Sequence, residues 1–546
     1  MLSRRNRLLT ARDGRTRRRL LKSLAAVPLG LALGSSPALD GARAAGAAEK
    51  ARRGPEHPNV LLITIDSMRA DHLGAYGYAE ANTPNLDRFA AEGLRVDAAY
   101  TAMPSTNPAH AALLSGTYPA RNGVYVHLVD TLDPELPTLA GALKAGDYGT
   151  AGIFSWHSFE PPFSGLQRGF DHYRGVAVDL EAYLKQQDEP TIPPEKRLDR
   201  LVYDTSSLDE DLALSEHIED LIDGKADITT DAALRWLDRE RPSDRPFFLW
   251  LHYFDPHYPY SPPPPRDVVD DGCDDCLDGG EATIRRIIAE WQPDFSPLQV
   301  AHLRALYDRE IAFTDEQLGR LLAGLRERKL EADTAVIITS DHGESFNEHD
   351  LWLHGGGLYR NEMRVPLLIR YPDHLPAGQV LGGPVGLVDV MPTLLDLAHL
   401  PIPKSVQGAS LLPLLTGVEP DGQRRAFAVA GDPVVSIATR EWHLIYRPTD
   451  EYVELYRPGT DPAEADNLAP PPNPAPTEEV EDGVGVQPTP PATVGPRPER
   501  PAEGGDPLRT SDAFAYREVV DKLLAELHAW QASTARPVPA ESPGVA

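Results

Sequence analysis

Five stretches of this chain are apolar from end to end: NVLLITI (59–65), TAGIFS (150–155), PFFLWLHYF (246–254), TAVIITS (334–340) and VPLLIRY (365–371). A strand with one wet face alternates apolar and polar residues. A strand covered on both faces does not, and such strands belong to mostly parallel sheets flanked by helices. The intervening segments read as helices. TPNLDRFAAEG (83–93) has a Thr-Pro start and a closing glycine, and the long periodic stretch 296–325 opens on Ser-Pro. The pattern predicts an α/β domain over residues 59–420, with a mostly parallel sheet sandwiched by helices.

Three of the runs end in ligand or acid/base chemistry. The first runs into Asp66. The third contains His252 and runs into Asp255, Pro256 and His257. The fourth runs into Asp341, His342, Gly343 and Glu344. In an open α/β sheet, ligands bind beyond the carboxyl ends of the strands. Each group alone would serve as a turn or a helix cap. Three strands delivering carboxylates and imidazoles to one edge point to a site.

STNPAHAALLSG (105–116) adds a hydroxyl. Ser105 or Thr106 is a good N-cap, Pro108 fits a first turn, and Gly116 stops the helix. An ordinary helix start accounts for all of this. The same geometry also sets the Thr106 hydroxyl among free N–H groups at the positive end of the helix dipole, where a phosphoryl or sulfuryl group is stabilised. A carboxylate-held metal there activates the hydroxyl as a nucleophile.

Downstream, RRAFAVAG, PVVSIATR, WHLIYRP and EYVELYRP suggest a small antiparallel sheet over 421–468. Residues 469–507 are rich in Pro, Gly and Glu and read as a disordered linker. Within 508–546, Ser511–Ala532 read as an amphipathic helix that docks back on the body. Cys273 and Cys276 are the only cysteines. A lone C-x-x-C in an acidic, Gly-rich loop reads as a small disulfide rather than a zinc site.

Charge narrows the partners. The net charge is −29, so polyanions such as nucleic acid or an anionic membrane find no electrostatic footprint. Residues 1–44 oppose this balance at +8, and without them the chain stands at −37. Within them TRRRLLKS precedes a short apolar run and Ala42-Arg43-Ala44, which resembles a twin-arginine export signal with its cleavage site. Residues 45–58 then form a flexible lead-in. No run reaches the ~18 apolar residues of a transmembrane helix. An exported protein, periplasmic or secreted, is the expectation.

PNVLLITIDSMRADHLGAYGY, PAHAALLSGTYPARNGV, PFFLWLHYFDPHYPY, TSDHGESFNEHDLWLHGGGLYRNEMRVPLLIRYP and QGASLLPLLTG occur in an order and spread that resemble the sulfatase family of the alkaline-phosphatase-like superfamily, over about residues 58–468. The resemblance implies an alkaline-phosphatase-like fold and a metal-dependent hydrolase or transferase of sulfate or phosphate esters. It matches Asp66, Asp341 and His342 to metal ligands and Thr106 to the nucleophile that also touches the metal. His257 matches a histidine that contacts the substrate anion or leaving oxygen. His354 stands where typical members carry an anion-binding lysine.

Three departures bear on chemistry. Typical members have Asp-Asp after the first strand, and here it is Asp66-Ser67. They have Cys or Ser in Cys/Ser-x-Pro-x-Arg, oxidised to formylglycine, and here the frame reads Thr106-Asn107-Pro108-Ala109-His110. A threonine cannot become that aldehyde, and His110 replaces the arginine. The expectation is therefore a covalent Thr106 intermediate on a phosphodiester or phosphonate ester. The alternatives are a true sulfatase without formylglycine, a phosphoglycol- or phosphoethanolamine-type transferase, and a non-catalytic binding protein. The donor set suits zinc or manganese, with calcium the more oxygen-demanding option. Asp255, His257 and His354 are spare ligands for a second metal. The substrate is expected to be a small-molecule, glycan or lipid ester.

Overall fold

The computed structural model describes residues 57–161, 163–179, 202–204, 221–223, 225–269, 271–273, 276–290, 292–431, 434–470 and 510–534. The export-signal expectation (1–44), most of the lead-in and nearly all of the proposed linker fall outside these residues.

The five apolar runs become five adjacent strands of one eleven-stranded sheet. In chain order the strands are β1 (Asn59–Ile65), β2 (Leu94–Tyr100), β3 (Gly149–Phe154), β4 (His172–Asp179), β5 (Val202–Asp204), β6 (Leu221–Asp223), β7 (Phe247–Tyr253) and β8 (Thr334–Ser340). Ser345–Phe346 (β9) and Trp352–Leu353 (β10) pair off the sheet, which continues with β11 (Arg364–Arg370), β12 (Gln379–Leu381) and β13 (Val385–Gly386). The order β11-β8-β1-β7-β3 forms the centre. β1 is parallel to both β7 and β8, and β11 is antiparallel to β8 and β2. β2 (LRVDAAY) has no counterpart among the apolar runs, because polar Arg95 and Asp97 interrupt its sequence.

Both faces are covered, as unbroken apolar strands require. Alternate residues divide the core. Leu61, Ile63, Leu249, Leu251, Val336 and Ile338 pack with α1 (Pro84–Glu92), α4 (Ala226–Arg239) and α5 (Pro297–Glu327). Val60, Leu62, Phe248, Trp250, Ala335 and Ile337 pack with α2 (Thr106–Ser115), α3 (Leu139–Ala145) and α6 (Val390–Leu397). α5 opens with a capping box in which the Ser296 hydroxyl accepts from Gln299 N and the Gln299 side chain accepts from Ser296 N. α2 stops at Gly116, which takes the left-handed φ of +64° that favours glycine.

The second unit is a four-stranded antiparallel meander, β14 (Ala426–Ala430), β15 (Val434–Ala438), β16 (His443–Arg447) and β17 (Tyr452–Tyr456). α7 (Thr510–Thr534) docks on it through Val520, Leu523, Leu527 and Trp530. The Trp530 indole lies flat on Phe427, with centroids 4.7 Å apart. Cys273 and Cys276 form a disulfide. No helix among the described residues is long and apolar enough to cross a membrane.

Candidate active site and metal centre

β1 and β8 are neighbours, so the residues following them meet. Asp66, Asp341 and His342 are fully buried, and a donor atom of each lies within 4.8 Å of the others. Ser67 ties the two strand ends together. Its φ of +58° turns the backbone N–H onto Asp341 Oδ1 (3.1 Å), while its hydroxyl donates to Asp66 Oδ1 (3.0 Å). Ser67 thus secures the carboxylates rather than adding a third one.

Thr106 is the first residue of α2, with Ser105 at the N-cap, and Ser105 makes no side-chain cap bond. The Thr106 hydroxyl turns into the site instead, 3.4 Å from His342 Nε2. The alternative of a plain helix cap is therefore not what the hydroxyl does. His342 Nδ1 sits 3.0 Å from the Gly343 carbonyl. A carbonyl only accepts, so Nδ1 carries a proton, and in the neutral ring Nε2 presents a lone pair. That lone pair lies 3.4 Å from Asp341 Oδ2 and 3.7 Å from Asp66 Oδ1. A lone pair facing two buried carboxylates is repulsive unless a cation stands between them. Burial, and then Asp66, push the Asp341 carboxyl above the usual range, as two carboxylates sharing one buried pocket require. The residues present fit a divalent ion held by Asp66, Asp341, His342 and the Thr106 hydroxyl.

His110 lies beneath Thr106, fully buried. Its Nδ1–H donates to the Thr106 carbonyl (2.8 Å), and its Nε2 accepts from the Thr64 hydroxyl (3.0 Å). Thr64 in turn accepts from Trp250 Nε1 (3.0 Å). Burial pushes the imidazole down to about 3. His110 is therefore a neutral brace for the first turn of α2.

His257 and His354 form the opposite wall, with ring centroids 5.1 Å apart. His257 Nδ1 donates to the Tyr258 carbonyl (2.6 Å), which leaves Nε2 for chemistry. Burial lowers this imidazole to about 4. His354 stacks beside His342 at 4.1 Å, and its Nδ1 lies 3.1 Å from Glu344 Oε1. Burial also holds His354 well below the usual range and Glu344 well above it.

Asp255 is not brought into this cluster. Its carboxylate accepts from Lys225 Nζ (2.7 Å) and from Ala226 N (2.7 Å) at the start of α4. Lys225 also reaches Glu310 (3.1 Å). Against the expectation of a spare ligand, both Asp255 oxygens are engaged in anchoring the loop that carries His257. No group of Asp255, His257 and His354 within metal-ligand reach exists among the described residues. Glu344 and His252, named in the sequence with the strand ends, take places around the site, and His127 joins them unmarked by any motif. Glu344 orients His354. His127 faces the start of α2, 3.4 Å from Asn107 N, and stacks at 6.2 Å on Trp156. His252 Nε2 lies 3.5 Å from Asp66 Oδ2, and neither of its ring nitrogens makes a hydrogen bond.

The sulfatase family model matches residues 58–400, and the model described as N-sulphoglucosamine sulphohydrolase, C-terminal, matches 348–480. The arylsulfatase of Clostridium perfringens is 29% identical over 383 residues, 66% of this chain and 78% of that protein. The N-acetylgalactosamine-6-sulfatase of Canis lupus familiaris is 26% identical over 444 residues, 76% of each. Among solved structures, a protein in complex with its substrate D-glucosamine-2-N,6-O-disulfate superposes with a TM-score of 0.61 at 21% identity, covering 88% of this chain and 98% of that one. The phosphonate monoester hydrolase of Agrobacterium radiobacter gives 0.60 at 23%, covering 87% and 96%. At these identities the superpositions establish the shared fold.

Proposed function

The chain belongs to the sulfatase family, metal-dependent hydrolases of ester bonds, and from that premise we propose that it is an exported hydrolase of phosphodiester or phosphonate esters using Thr106 as a covalent nucleophile. The observation that carries this reading is the Thr106 hydroxyl, at the start of α2 and 3.4 Å from His342 Nε2. A formylglycine hydrate releases sulfate by eliminating it through its second hydroxyl. A threonine ester has no second hydroxyl, so water must cleave it at the central atom, and phosphorus accepts such attack readily.

In the first step the Thr106 hydroxyl gives its proton to the free Nε2 of His257 as its oxygen forms a bond to phosphorus, and the departing ester oxygen takes that proton from the ring. In the second, water attacks phosphorus while the same Nε2 takes its proton, the bond from phosphorus to the Thr106 oxygen breaks, and the ring returns the proton to that oxygen. The N–H groups at the head of α2 face the developing negative charge. A bound divalent ion, zinc or manganese in this reading, lowers the hydroxyl's pKa and neutralises the anion. His110 holds the Thr106 carbonyl and hence the direction of the attack.

The test is hydrolysis of matched nitrophenyl sulfate, phosphate monoester, phosphodiester and phosphonate monoester, with Thr106→Ala and a chelator as controls. A phosphorus ester should turn over fastest, and both controls should abolish the reaction. Fastest turnover of sulfate overturns the phosphorus assignment and makes the protein a sulfatase without formylglycine. Export rests on the Arg17–Arg19 run. Fractionation of cells carrying Arg18→Lys and Arg19→Lys should find the protein retained inside.

A further inference from the structure

Tyr125, Val126, Leu128 and Val129 flank His127 in one loop, and all four are exposed, Val126 by 52% and Val129 by 72%. The loop is tied in place. The Asp130 carboxylate accepts from Tyr125 N (2.9 Å) and Val126 N (2.8 Å), and Asp130 N donates to the Val126 carbonyl (3.0 Å). Leu128 holds a left-handed φ of +61°, a conformation in which asparagine or glycine is less strained. A soluble surface avoids such a run of apolar side chains unless the patch is used.

The patch adjoins the site. His127 Nδ1 accepts from the N–H of Asn107 (3.4 Å), the residue after Thr106, and its ring stacks on Trp156 with centroids 6.2 Å apart. Trp156 lies nearly flat on Phe254 (4.7 Å) and 5.5 Å from His257. An aromatic path therefore runs from His257, which serves the leaving oxygen in the reading above, over Trp156 and His127 to the loop. The Tyr125 hydroxyl is the only polar side-chain group among the four flanking residues, whereas a sugar has to be held by several placed donors and acceptors. The path is longer than one ring spans, so an extended alkyl chain fits it better than a single ring. Resting on the hydrolase reading, but not on whether the central atom is phosphorus or sulfur, we infer that this wall is the leaving-group subsite and that the alcohol released from the ester carries an alkyl chain.

The experiment uses the full chain with zinc or manganese supplied. Ethyl, octyl and glycerol esters are prepared both as methylphosphonate monoesters and as sulfates and are kept below micelle-forming concentrations. Alcohol release gives kcat/KM for each. A fully buried methylene is worth a factor of about four, so on this half-open wall the octyl ester should exceed the ethyl ester by about tenfold or more. The glycerol ester should not exceed the ethyl ester. Val126→Ser, Leu128→Ser and Val129→Ser combined should bring the octyl-to-ethyl ratio to about twofold or less, as the chain loses its apolar cover. That ratio does not move with a general loss of turnover, so a merely weakened enzyme is told apart. Equal ethyl and octyl rates, a faster glycerol ester, or an octyl preference that the triple variant keeps overturns the inference and leaves the hydrolase reading standing. Where the rates are equal, pelleting with phosphatidylcholine vesicles or a dimer in sedimentation, lost in the triple variant, assigns the patch to a membrane or to a second copy instead. An octyl preference on sulfates with inert phosphonates keeps the inference and overturns phosphorus. No turnover of any ester overturns both.

Discussion

Replacing Asp255 with alanine separates a structural carboxylate from a metal ligand. The side chain is wholly buried and accepts two bonds, from Lys225 Nζ and from the first N–H of α4, both at 2.7 Å. Loss of an N-terminal acceptor costs about 0.5–2 kcal/mol. Loss of a charge-assisted bond costs about 1.5–3 kcal/mol. The Lys225 ammonium keeps Glu310 at 3.1 Å, so the larger penalty of a stranded buried charge does not apply. The expected destabilisation is about 3 kcal/mol, a large part of the ~5–15 kcal/mol that holds a domain together. Urea unfolding should show it as a lower midpoint, while zinc content stays at the wild-type value. Asp255→Asn keeps an acceptor for Ala226 N and should fall between the two. Turnover should drop in both, because the carboxylate anchors the chain two residues before His257. An unchanged midpoint with reduced zinc content would refute this reasoning and make Asp255 the ligand that its sequence position suggested.

Further outcomes follow from the same contacts. His110 titrates near 3 when folded, against about 6.5 when unfolded. The unfolded chain alone binds this proton in that interval, so stability is lost as pH falls below 6.5. His110→Gln should remove about 2 kcal/mol of the wild-type loss between pH 6.5 and 5, read from urea midpoints at the two pH values. Chelation should lower the melting temperature, because binding of the ion to the folded state alone adds about 2.7 kcal/mol at a hundredfold excess over Kd, and zinc should restore it. Trp530→Ala removes the ring stacked on Phe427 and should cost about 3–5 kcal/mol. Limited proteolysis should then cut near α7 first, with turnover largely kept, since α7 packs on the meander and Tyr118 rather than on the site.

Local patterns carried what local physics determines. Double-sided burial made the central strands apolar throughout, so β1, β7 and β8 and the residues following them were legible, and with them Asp66, Asp341 and His342. Gly116 and the Ser296 cap marked helix ends for the same reason. β2 was hidden because Arg95 and Asp97 break its apolar run, and its partner β11 lies far along the chain. Asp255 misled because a carboxylate after a buried strand looks the same whether it turns toward a metal or toward the head of α4. Lys225 settles which, and it comes from another segment. His252 shows the limit most clearly. The sequence marks it as an imidazole inside the third apolar run but not what it faces. That emerges from the β1–β7 register, which sets His252 opposite Thr64. Asp66 lies two residues beyond Thr64 and so shares its face, and that alternation brings the imidazole to the carboxylate. Which carboxylate that nitrogen faces is set by pairing between strands nearly two hundred residues apart in sequence, and no short window holds that information.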